Sequence, residues 1–243
     1  MKPTPEQQLE HRIWRHFNKG ITQYGLLADN DRILIGLSGG KDSLALLDLL
    51  ARRARIRKPS IHIEALHVRM DNIAYESDTG YLEDFAAQRQ VRLHIRHTAF
   101  DPSTDHRKTP CFLCSWNRRK MLFTVAQEQA CNKIALGHHQ DDILHTTLLN
   151  LAFQGHFSTM PVRLRMSKFP ITVIRPLCMV READLKSWSE QQGYRQQTKR
   201  CPYETQSNRT GMKEIFRQIE QMNPEARHSF WNALEAEGKL MEG

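Results

Sequence analysis

The sequence predicts an α/β protein built on a parallel β-sheet with helices on both faces. Short apolar runs typical of strands alternate with longer stretches in which apolar residues recur every three or four positions. A glycine-rich turn at residues 38–43 directly follows the first apolar run and opens a helical stretch. Repeated strand–loop–helix units of this kind place a parallel sheet between layers of helices.

The helices are predicted from apolar spacing. Residues 6–28 form the first, because Leu9, Ile13, Phe17 and Ile21 share one helical face. The other predicted helices are 44–55, 79–90, 115–130, 141–153, 181–192 and 211–240, the last with a break at Pro224.

The strands are predicted from apolar or alternating runs. These are 33–37, 61–68, 91–95, 133–137 and 171–177. The polar stretch 101–110 contains two prolines and is predicted to be a loop. Mobility or substrate contact is expected there and in residues 155–170.

Length and composition indicate one large domain with small additions, divided here into residues 1–28, 29–200 and 201–243. No apolar stretch approaches the roughly 18 residues of a membrane span, and the N-terminus lacks an apolar signal core, so a cytoplasmic protein without membrane contact is expected. The formal net charge of +8 favours a polyanionic partner such as RNA or DNA. Five cysteines, an odd number, argue against a disulfide framework.

The glycine-rich turn, SGGKDS at residues 38–43, has the chemistry of a phosphate site. Adjacent glycines permit backbone conformations closed to other residues, and the first turn of the following helix offers N–H groups and a positive dipole end. Lys41 adds a charge, and Ser38 and Ser43 add hydroxyl groups. The spacing is not that of a Walker A motif. A nucleotide-using enzyme is therefore predicted.

Cys111 and Cys114 form a CxxC pair between the proline-containing loop and a predicted helix. A tight turn can aim both sulfurs at one metal, and the pair alone fits half a zinc site, a redox pair or part of an iron–sulfur cluster. There is no second pair, but Cys201 offers a third thiol. Three thiolates would leave one iron of a four-iron cluster open to sulfide or substrate. Cys131 and Cys178 are predicted to be buried structural residues.

Charged residues near these motifs are further candidates. Asp141 and Asp142 follow a predicted strand and can hold Mg²⁺ on ATP phosphates, or one of them can cap the next helix. Arg118, with Arg119 and Lys120, can stabilise pyrophosphate charge or contact an RNA backbone.

Together these motifs resemble the TtcA family of tRNA 2-thiocytidine synthetases over about residues 10–210. The matching segments are 38–43, 111–115, 118–119, 135–144, 155–164 and 174–177. The resemblance implies a PP-loop ATP pyrophosphatase domain, Rossmann-like and adenine nucleotide alpha hydrolase-like, with short helical extensions at both ends. It implies that the C2 carbonyl oxygen of a tRNA base, with cytidine expected, is adenylated and replaced by sulfur carried on a [4Fe–4S] cluster.

The resemblance also implies the site residues, with ATP, Mg²⁺ and the cluster as cofactors. The nucleotide-binding set is Ser38, Gly39, Gly40, Lys41, Asp42, Ser43, His67 and Gly137. The catalytic set is Asp42, Arg118, Asp141 and Asp142, and the cluster ligands are Cys111, Cys114 and Cys201. Glu204 stands where well-known members carry a second cysteine. The implied partners are tRNA, a sulfur donor (a cysteine desulfurase or sulfide) and a second copy in a homodimer.

Two other functions fit the same residues. One is a PP-loop ligase that adenylates another acceptor. The other is a non-catalytic metal-binding protein that binds RNA and uses its nucleotide site for regulation. ATP turnover separates the enzymes from the binding protein, and iron rather than zinc at the cysteines favours the thiolase.

Overall fold

The computed structural model describes residues 3–75, 79–101, 103, 109–201 and 208–242. The helices in this part of the chain are α1 Pro5–Gln23, α2 Lys41–Ala54, α3 Gly80–Gln88, α4 Pro110–Glu128, α5 Gln140–Gln154, α6 Glu182–Gln191, α7 Asn208–Met222 and α8 Ala226–Ala236. The strands are β1 Asp31–Gly36, β2 Ile61–Met70, β3 Ala74–Tyr75, β4 Arg92–Thr98, β5 Lys133–Ala135, β6 Arg163–Arg165, β7 Thr172–Ile174, β8 Lys199–Arg200 and β9 Met241–Glu242.

Seven of the strands form one sheet in the order β4-β2-β1-β5-β7-β6-β9. The five strands from β4 to β7 are parallel, which confirms the predicted α/β class. The sheet is nevertheless mixed at one edge, where β6 runs antiparallel to β7 and pairs in parallel with β9. A separate two-stranded ribbon pairs β3 with β8.

The strand order places a topological switch point between β1 and β5. From β1 the chain builds outward through β2 to β4, then returns and builds the other half through β5 and β7. Ligands of open α/β sheets bind at the carboxyl ends of the strands beside such a point. The loops after β1 and β5 meet there, and both carry predicted site residues.

Alternate side chains of strand β1 pack into two different apolar cores. Ile33 and Ile35 pack into one core together with the buried side chains of α2, and Leu34 packs into the other with Val125 of α4. Side chains of a strand alternate between faces, so α2 and α4 cover opposite sides of the sheet.

Among the described helices none is long and apolar enough to cross a bilayer.

Several predicted boundaries were wrong. The first helix ends at Gln23 rather than at 28, because Tyr24 caps it and Gly25 takes a left-handed conformation with φ of 57°. Helix α4 begins at Pro110 and not at 115. The stretch 155–170 contains β6, a three-residue strand too short to show a pattern. Most of the predicted loop 101–110 lies outside the described residues.

Candidate active site at the carboxyl edge of the sheet

The glycine-rich loop is held by Ser43 from within. The Ser43 hydroxyl accepts a hydrogen bond from Gly39 N at 3.1 Å and donates one to Gly40 O at 2.9 Å. Gly39 has a φ of 85°, and a Cβ there would lie 2.7 Å from Cβ of Gln197. Gly40 is the N-cap of α2 and makes no side-chain capping bond, so the helix N-terminus can face an anion.

Lys41 lies at the mouth of this loop among carboxylates. Its Nζ is 2.8 and 2.9 Å from the two oxygens of Asp42 and 3.7 Å from Oε1 of Glu182. The side chain is partly exposed, so its charge can be shared with a phosphate that enters the loop.

Gly137 brings the loop after β5 against the glycine-rich loop. A Cβ at this position would lie 3.1 Å from the backbone C and O atoms of Asp42 and from Ser43 N, so the two loops touch backbone to backbone. Three carboxylates lie within 4.0 Å of the His139 ring. Its Nε2 is 4.0 Å from Oδ1 of Asp42 and 3.5 Å from Oδ2 of Asp142, and its Nδ1 is 3.9 Å from Oδ2 of Asp141. Oxygen ligands of this type suit Mg²⁺.

Asp141 and Asp142 have different surroundings. Asp142 forms a capping box with His139 at the start of α5 and stays partly exposed. Asp141 is only 8% exposed, and its oxygens accept hydrogen bonds from Arg227 Nη2 at 2.8 Å and from Glu182 N at 2.7 Å. Burial opposes ionisation, but the charge and hydrogen bonds outweigh it, and the pKa of Asp141 lies below its ordinary value.

Arg118 connects α4 to strands β2 and β3. It donates hydrogen bonds to Val68 O at 3.1 Å and to the Tyr75 hydroxyl at 2.7 Å. It also borders a mainly apolar cavity of about 140 Å³ that Leu37 and Ser38 line as well. The structure thus brings Arg118 to the same edge as residues 38–43.

His67 lies behind the glycine-rich loop. Its Nδ1 is 2.8 Å from Leu37 O and must donate to it, while its buried Nε2 has no hydrogen-bond partner in the part of the chain described. Burial lowers the pKa of His67 despite the hydrogen bond to Leu37, so the ring is neutral near pH 7. His67 therefore holds the backbone at Leu37, directly before the glycine-rich loop.

A pH dependence follows from buried His67 and from two partly buried histidines, His16 and His145. Burial also lowers the pKa values of His16 and His145, so all three bind protons more weakly in the folded state. Unfolded histidines titrate near pH 6.5, and the free energy of unfolding should fall as the pH drops below about that value. Urea denaturation at several pH values measures this. In His67→Asn the free energy of unfolding should fall less over the same pH range. An identical fall would contradict a contribution of His67 to this pH dependence.

Cys111 and Cys114 lie in the first two turns of α4, which corrects the predicted position before the helix. Thr109 caps the first turn by accepting a hydrogen bond from Phe112 N. The helix N-terminus favours negatively charged groups such as thiolates. Cys114 and Cys201 pack against the same apolar core, although no three His, Cys, Asp or Glu side chains among the described residues are grouped to hold a metal. Glu204 lies outside the described residues.

The other two cysteines match their predicted role. Cys131 and Cys178 are buried in the apolar cores. All five cysteines belong to the described chain, and none forms a disulfide.

Two arginines of the site were missed by sequence reasoning. Arg227 lies on α8 and is 86 residues away in sequence from Asp141, its ion-pair partner. Arg175 follows β7 and donates hydrogen bonds to His138 Nδ1 and to Pro161 O. Burial, with the nearby charge of Arg119, lowers the pKa of Arg175 to about 10, which leaves it charged at pH 7. The segment 174–177 is one of the segments that carry the family resemblance, and it is the signal in the sequence for Arg175.

The fold and this edge define a PP-loop protein. A family model described as a PP-loop domain matches residues 5–219. Among curated proteins, the tRNA-cytidine(32) 2-sulfurtransferase of Polynucleobacter necessarius is 35% identical over 90% of this chain and 74% of its own length. The chain therefore belongs to the tRNA-cytidine(32) 2-sulfurtransferase family of PP-loop proteins.

Other relatives extend the comparison. The protein of the same name from Paracidovorax citrulli is 37% identical over 77% of this chain, which spans 61% of that relative's length. Among solved structures, the U34-tRNA thiolase NcsA from Methanococcus maripaludis with its [4Fe-4S] cluster aligns with a TM-score of 0.76. Its sequence is 25% identical, and the alignment covers 95% of this chain and 79% of that chain.

Proposed function

We propose that this protein is an ATP-dependent tRNA sulfurtransferase that replaces the C2 oxygen of a cytidine with sulfur. The observation that carries the proposal is on α4. Cys114 and Arg118 are four residues apart, on one side of the helix, and Arg118 borders the cavity that Ser38 lines. One rigid element thus links a thiol pair to a phosphate loop.

Residues 38–43 are proposed to hold the ATP phosphates, and the apolar cavity beside Arg118 to receive the adenine ring. Lys41 and the N-terminus of α2 would neutralise phosphate charge. Asp42 and Asp142 would bind Mg²⁺, whereas Asp141 keeps its structural partners. The cytidine oxygen would attack the α-phosphorus as the bond to pyrophosphate breaks. Sulfur at the oxidation level of sulfide would then bond to C2 as the C2–O bond breaks and AMP leaves.

The thiols supply a donor set that fits an iron–sulfur cluster. Two sulfurs lie one helical turn apart at the positive end of α4, and the third, Cys201, packs against the same core as Cys114. A [4Fe–4S] cluster bound by three cysteines offers an iron without a protein thiolate, at which sulfur can be held. A cysteine desulfurase or sulfide as donor, and a homodimer, remain predictions.

The proposal is tested by anaerobic purification and a thiolation assay. Protein with about four irons per chain should convert tRNA cytidine to thiocytidine only with ATP, and AMP and pyrophosphate should form. Colourless protein with bound zinc and adenylating activity on another acceptor would favour the ligase. ATP binding without turnover would favour the regulatory RNA-binding protein.

Lys41→Ala should weaken ATP binding by roughly tenfold or more, because a charge-assisted contact to phosphate is lost. Calorimetric titration of ATP measures the change. The control is Lys168→Ala. Lys168 is exposed and precedes β7, at the opposite edge of the sheet, so this variant should bind ATP normally. An unchanged affinity of Lys41→Ala for ATP would contradict the proposal that Lys41 binds a phosphate group.

A further inference from the structure

Helix α4 carries an exposed stripe of side chains, of which the proposed chemistry uses only Cys111. The exposed residues of its first three turns are Cys111, Phe112, Ser115, Trp116, Arg119 and Lys120. They form two adjacent rows in which the spacing is four residues, so they lie on one face of the helix. The stripe begins at a proposed cluster ligand and ends in two cations.

The stripe contains two aromatic rings that soluble proteins usually bury. Phe112 is 48% exposed and Trp116 is 49% exposed, one helical turn apart. The Lys120 ammonium lies 5.5 Å from the centroid of the Trp116 ring, close enough for a cation–π contact. Aromatic rings beside cations are the surface on which unpaired nucleic-acid bases stack.

The charge of the helix favours RNA over another apolar protein surface. Helix α4 carries Arg118, Arg119 and Lys120, and its one acidic residue is Glu128 at the far end. A phosphate backbone complements such a helix, whereas a second copy would bring the same cations together.

We propose that Phe112 and Trp116 form a stacking platform for unpaired bases of an RNA loop, with Arg119 and Lys120 contacting its backbone. The inference rests on the proposed function, because it assigns how tRNA is held beside Cys111. A base that reacts must leave its stack, and neighbouring bases need a new surface when it does. The platform supplies that surface next to the thiols.

The test is equilibrium binding of an RNA stem-loop with an unpaired loop and of a fully paired RNA duplex of equal length. Trp116→Ala and Phe112→Ala should each weaken stem-loop binding about tenfold and leave duplex binding unchanged. Trp116→Phe should retain most of the affinity. Met222→Ala, which removes an apolar side chain that is 80% exposed at the end of α7, should change neither.

Salt dependence separates stacking from charge. Trp116→Ala should leave the slope of log K against log salt unchanged, whereas Lys120→Gln should reduce it by about one. ATP affinity and iron content should be normal in both variants.

Equal stem-loop affinity in Trp116→Ala and the unchanged protein would overturn the platform and leave the thiolase proposal standing. A change in sedimentation mass of Trp116→Ala without a change in RNA affinity would overturn it in favour of a contact between copies. Failure of the unchanged protein to bind tRNA would instead contradict the proposed function itself.

Discussion

Cys111→Ala is expected to abolish tRNA thiolation and the visible absorption of the cluster, while ATP binding persists. The proposed cluster has three protein thiolate ligands, so this variant would leave it with only two. Cys111 is exposed at the start of α4, and neither the glycine-rich loop nor the apolar cores depend on it. The measurement combines iron and sulfide analysis with the thiolation assay and an ATP titration.

The control for this variant is Cys131→Ala. Cys131 is buried in the core shared by α4 and the sheet, and burial raises the pKa of its thiol to about 11, so it is a poor metal ligand. Cys131→Ala should lower stability and keep iron and thiolation. Full sulfur transfer by Cys111→Ala would exclude this residue as a necessary ligand.

Arg227→Met is expected to cost about 3–5 kcal/mol of the free energy of unfolding, because it leaves the buried carboxylate of Asp141 without its cation. Arg227 also donates to Glu220 at 2.9 Å and to Gln140 at 3.2 Å, so it ties the two C-terminal helices to the start of α5. Urea denaturation at pH 7 measures the loss.

Two further variants separate the buried charge from packing. Adding Asp141→Asn to Arg227→Met should restore part of the stability, since the unpaired charge is gone. Arg217→Met breaks an exposed pair with Glu214 and should barely change unfolding. An equally small loss in Arg227→Met would show that the Asp141 pair does not stabilise the fold.

The Asp141 pair also has a defined acid response. The folded pKa of Asp141 is depressed, so its stabilisation is fully present above its unfolded pKa, near 4, and is lost as the pH falls through the lower folded value. Below pH 4 the unchanged protein should therefore lose stability more steeply than Asp141→Asn.

Local pattern was sufficient for the class of fold and for the two main motifs. The run before residue 38 and the glycines after it dictate a strand, a turn and a helix, because these conformations depend on neighbouring residues. The CxxC pair is likewise local, although its position inside α4 was missed because Pro110 can start a helix as well as end a loop.

Tertiary structure alone decided which candidates meet and how their roles divide. Asp141 and Asp142 are adjacent in sequence, yet only Asp141 pairs with Arg227, whereas Asp142 forms the capping box of α5, because successive residues of a helix point about 100° apart. Arg227 and Arg175 reach the site from distant elements, and no local pattern encodes such contacts. The sequence by itself determined the chemistry available to this protein, while strand order and helix packing determined which residues share the site.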